Sequence, residues 1–158
     1  MAAGISKTTT IPLLLLTFIF SVAGLGLSAA LVSKSNFPNY ESRAVLIQGL
    51  IACVWTVLFS LIFIITGLVM PRNSFFGAAV CGIMMFLGFL QLIVTAGGTV
   101  STTKTFGTPD NSALYRAWIA MAFIAAFMAL FSTVAALLNY VAGKAVDVKP
   151  KQEEVVHF

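Results

Sequence analysis

The sequence predicts an all-α fold: an integral membrane four-helix bundle with short loops. Three observations predict it. Of 158 residues, 59% are hydrophobic and only 9% charged, with mean hydropathy +1.02. Apolar side chains therefore outnumber what one small core could hide from water, and the solvent has to be lipid. Second, the apolar residues fall into four runs of ~23 to ~29 residues, each long enough to cross a ~30 Å hydrocarbon core as a helix. Third, the polar segments between the runs are too short to form domains of their own.

Residues 1–10 are polar and end in Thr8, Thr9 and Thr10. The first span is expected over 11–33, with Pro12 near its start, where a missing amide donor costs little. Its length, about twice that of a typical signal-peptide core, favours a retained helix. Within it, Gly24 with Ser28 and Gly26 with Ala30 offer small-residue pairs for helix packing. Residues 34–43, with Asn36, Pro38 and Asn39 among them, form the first connection.

The second span is expected over 44–70 and the third over 75–99. The four residues between them, Pro71-Arg72-Asn73-Ser74, force antiparallel neighbours. Residues 100–113, rich in Thr, Gly and Pro, are expected as the last connection. The fourth span covers 114–142, with Arg116 its one charge, and residues 144–158 form a charged tail. Tyr115, Arg116 and Trp118 are expected to anchor this helix at the membrane interface.

In the fourth span Ala122, Ala125, Ala129, Ser132, Ala136, Asn139 and Gly143 recur at intervals of three and four, forming one stripe. Lipid supplies little hydrophobic drive between helices, so close backbone approach along small residues is a main source of association. The stripe is the predicted seam against which the other helices pack. Phe127, Phe131, Val134 and Leu138 lie mostly off it.

Functional chemistry is sparse. All five acids, Glu41, Asp110, Asp147, Glu153 and Glu154, and the single histidine, His157, fall outside the spans. That leaves no proton relay, catalytic triad or metal site at depth, and no cofactor is expected. Cys53 and Cys81 lie in apolar runs with a predicted offset of ~16 Å, too far for a disulfide. The net charge of +4 is spread over the termini and every connection rather than along one basic face, which argues against nucleic acid. Five cations on the side of the termini against four on the other tilt the orientation toward cytoplasmic termini. Among amides in or near the spans, Gln48, Gln91 and Asn139, the deepest is Gln91, the candidate lipid or partner cleft. Fourteen phenylalanines interleaved with Gly and Ala could form grooves for a lipid, a sterol among the candidates.

Four spans, small loops, both ends on one side, and the run Leu114-Tyr115-Arg116-Ala117-Trp118-Ile119-Ala120-Met121-Ala122-Phe123 followed by Phe127 and Phe131 resemble the MARVEL-domain tetraspan proteins, particularly the small fungal plasma-membrane members. The likeness covers residues 8–143 and is one of hydropathy and texture. Claudin-like proteins would carry a Trp-Gly-Leu-Trp and paired cysteines in the first loop, and tetraspanins a long cysteine-rich loop. Casparian-strip relatives would carry an intramembrane Arg and Asp. The MARVEL resemblance implies a non-enzymatic, multi-pass protein of lipid-ordered domains or trafficking in the plasma membrane or a secretory-pathway membrane. Its expected partners are membrane lipids, further copies of itself, or a larger polytopic membrane protein. The competing expectation is an accessory or regulatory subunit of a larger membrane enzyme or transporter.

Overall fold

The computed structural model describes residues 8–34, 40–69, 77–106 and 112–153, and among these the secondary structure is helical with no strand. The helices are α1 (Thr10–Lys34), α2 (Tyr40–Val69), α3 (Ala78–Phe106) and α4 (Ser112–Glu153). Each contains a stretch long and apolar enough to cross a membrane: Thr10–Ser33, Arg43–Val69, Ala78–Thr102 and Ala113–Ala142. The chain is a multi-pass, all-α membrane bundle.

The helices outrun the apolar stretches that revealed them. α2 begins at Tyr40 rather than 44, with Glu41 in its first turn, where a carboxylate favours the positive end of the helix dipole. α3 continues through Phe106, taking in half of the connection expected over 100–113. Its threonines bond their own backbone, Thr99 to the carbonyl of Thr95 at 2.7 Å and Thr102 to that of Thr99 at 3.0 Å. They turn inward on the helix instead of breaking it. α4 runs to Glu153, so most of the expected charged tail is helical backbone. The turn expected over 71–74 lies outside the described residues, as do residues 75 and 76 of the expected third span.

Packing runs in a ring: α1 against α2 and α4, and α3 against α2 and α4. Residue levels show that neighbours are antiparallel. The position a Cβ would take at Gly98 meets Val45, at Gly88 it meets Thr56, and at Gly24 it meets Cys53, so numbers rise on one helix as they fall on the next. Three buried layers fill the ring. Leu14, Phe63, Cys81, Met85, Ala129 and Ala136 form the layer near the start of α1. Ala52, Cys53, Leu92, Ala125 and Ala126 form the middle. Leu31, Leu46, Ala96, Tyr115, Trp118 and Ala122 form the layer at the opposite end. Both cysteines are free and belong to different layers.

Small side chains predominate inside and bulky apolar ones outside, with Trp118, Tyr115 and Phe63 among the large exceptions in the core. Large apolar side chains such as Ile51, Leu58, Val94, Phe127, Phe131 and Leu138 face outward, while the ten buried polar side chains among the described residues, all Ser or Thr, line the interior. The hydroxyls largely satisfy themselves locally: Thr17, Thr56, Thr95 and Thr133 each donate to the carbonyl four residues back at 2.6–2.9 Å. This arrangement suits a membrane bundle, in which small residues allow helices to approach and bulky ones meet lipid.

Candidate groove and seam of the fourth helix

The predicted stripe on α4 divides in two. Ala122, Ala125, Ala129, Ser132 and Ala136 are buried, and they approach their neighbours closely. A Cβ at Gly82 of α3 would lie 3.3 Å from Leu137 and 3.7 Å from the methyl of Ala136, and Ser132 Oγ lies 3.1 Å from Thr17 Oγ1 of α1. Because the Thr17 hydroxyl is also 2.8 Å from the Leu13 carbonyl, one short chain of polar atoms ties α1 to α4 at this level. Asn139 is only half-buried. Gly143 lies in α4, beyond the residues whose surroundings are described.

Asn139 joins α4 to the first turn of α1. Its Nδ2 donates to Thr10 Oγ1 at 2.6 Å and, at 3.5 Å, reaches Thr9 Oγ1. Thr10 is fully buried, whereas Thr9 faces outward. Beside the pair, on the outer surface, α1 and α4 leave an open groove of about 440 Å³ lined by Thr9, Leu13, Phe131, Val134, Ala135, Leu138 and Asn139. Phe131 and Asn139 are eight residues apart on α4, so the groove is ~12 Å long. Among the described residues one end is polar and uncharged, and the rest is hydrocarbon.

Two expected features are placed differently. Tyr115 and Trp118 are not interfacial anchors: they are 2% and 0% exposed, inside the end layer of the core. The reason is register, since positions 115, 118 and 122 share the face that carries the seam. The Trp118 ring crosses the bundle to α2, where a Cβ at Gly49 would stand 2.5 Å from its Cζ2. Only a glycine at 49 leaves that ring its place. Arg116, on the opposite face, is exposed. Gln91 is half-buried at the level of the middle layer, and its Oε1 is enclosed with no hydrogen-bond partner. It does not line the α1–α4 groove.

Asn139 was visible in the sequence as a polar residue on the stripe. Thr9, Leu13 and Ala135 were not, because nothing local says that the start of α1 returns to the end of α4. Among the described residues no group of three or more His, Cys, Asp or Glu side chains could hold a metal ion. Compared with known protein families, with curated proteins and with solved structures, the chain matches none.

Proposed function

We propose that this protein is a non-enzymatic, MARVEL-like tetraspan scaffold that organises lipid-ordered membrane domains, or trafficking through them, by lateral contacts with lipids and other proteins. It works in the plasma membrane or a secretory-pathway membrane with its termini in the cytoplasm. The observation that supports this most is the arrangement of side chains: among the described residues alanine and hydroxyl side chains make up most of the buried interior, and all four helices present bulky apolar side chains outward. An outer surface of that kind is built for neighbours in the bilayer plane. The sparsely charged spans and the groove between α1 and α4 support the same reading.

Extraction from native membrane in a mild detergent, followed by a native gel, tests it. A ladder of self-oligomers carrying co-purified lipid is the expected result. A single large heteromer with a polytopic enzyme or transporter would overturn the scaffold in favour of an accessory subunit.

A further inference from the structure

We propose that the groove between α1 and α4 is a binding site for a sterol, meaning a neutral lipid with one hydroxyl head and a rigid fused-ring body, drawn from the leaflet nearest the chain termini. The proposal rests on the scaffold reading for its purpose and on the groove alone for its chemistry. Depth is the first argument. The membrane-crossing stretch of α4 is Ala113–Ala142, so Asn139 lies ~17 Å and Phe131 ~5 Å from its middle. Half of a ~30 Å hydrocarbon core is ~15 Å, which puts the polar end of the groove at the headgroup boundary and its apolar walls in hydrocarbon. A sterol has the same division along its own length.

Charge and hydrogen bonding argue next. None of the described lining residues is charged, so a phosphate drawn into this end would lose water without gaining a counter-charge from them. Asn139 commits its Nδ2 to Thr10, and its Oδ1 accepts no hydrogen bond among the described residues. An amide oxygen at the membrane boundary wants a donor, and a hydroxyl supplies one where a ketone or an ester cannot.

Width is the third argument. The groove is open to the lipid side and offers about 440 Å³ between the two helices. A single polymethylene chain, whose carbons approach their neighbours to about 4 Å, leaves part of that space unfilled. A flat ring system lying between Phe131 and Leu13 occupies the groove better than one acyl chain.

The test uses the full chain in phosphatidylcholine nanodiscs with a photoactivatable cholesterol probe and peptide mapping. Labelling is expected within residues 9–13 and 131–139, displaced by unlabelled cholesterol and poorly displaced by the corresponding 3-ketone. Ala135→Phe, which fills the groove from its lipid-facing wall, is expected to cut labelling about tenfold or more, a loss of at least ~1.4 kcal/mol of binding. Its thermal unfolding should stay that of the parent chain. Labelling confined to other helices, equal displacement by the ketone, or equally strong labelling of the same peptides by a photoactivatable phosphatidylcholine overturns the proposal. The ketone competition uses the unmodified chain, so it decides even if Ala135→Phe fails to fold. A self-oligomer ladder on the native gel without sterol labelling removes the sterol site and leaves the scaffold standing, whereas sterol labelling of a single heteromer does the reverse.

Discussion

At the scale of single residues, the most consequential positions are those where a polar atom or a missing methyl meets the interior. Gln91 is one: its Oε1 is enclosed without a partner, and an unsatisfied buried carbonyl costs about 1–3 kcal/mol. Replacing it with Leu is therefore expected to leave thermal stability in detergent unchanged or to raise it. A fall in melting temperature would show that the amide is bonded in the membrane-embedded protein. Gly49 works in the opposite direction. A methyl there would collide with the buried Trp118 ring and come within 3.0 Å of Thr95 Cγ2, so Gly49→Ala is expected to destabilise by about 1–3 kcal/mol, read as a lower denaturation midpoint. The aromatic pair itself shows where local reasoning stops. Tyr115 and Trp118 have the composition of an interfacial belt, yet their spacing from Ala122 assigns them to the inner face, and spacing decides.

At the scale of helices, hydropathy located all four elements, and the helices run on past the spans it drew. A span is bounded by where lipid stops, and a helix by where backbone hydrogen bonding stops. The threonines at 95, 99 and 102 illustrate the difference, because they raise polarity while bonding inside the helix. The stripe on α4 was legible because its period is a property of one helix. Its partners were not, since pairing Ser132 with Thr17 or Asn139 with Thr10 depends on which helices become neighbours. Ala129 and Ala136 lie fully buried on that stripe. Ala129→Leu and Ala136→Leu are each expected to cost about 1–3 kcal/mol by overpacking, measured as thermal shifts in detergent. Unchanged melting in both variants would show that the seam tolerates separation and that α4 is not the element on which the others close.

At the scale of the whole molecule, the ring of antiparallel helices follows from four long apolar runs and short links, so architecture was the most legible level of all. The outer groove was the least, because it is made by two helices from opposite ends of the chain. The sorting of small side chains inward and bulky ones outward carries one more consequence. In bilayer or detergent, pulling these helices apart exchanges protein contacts for hydrocarbon contacts and brings little apolar surface into water. The heat-capacity increment that normally accompanies unfolding, ~12–15 cal/mol/K per residue in soluble domains, should be largely missing. Calorimetry in detergent is expected to show a nearly straight dependence of stability on temperature, with no loss of the assembled state on cooling.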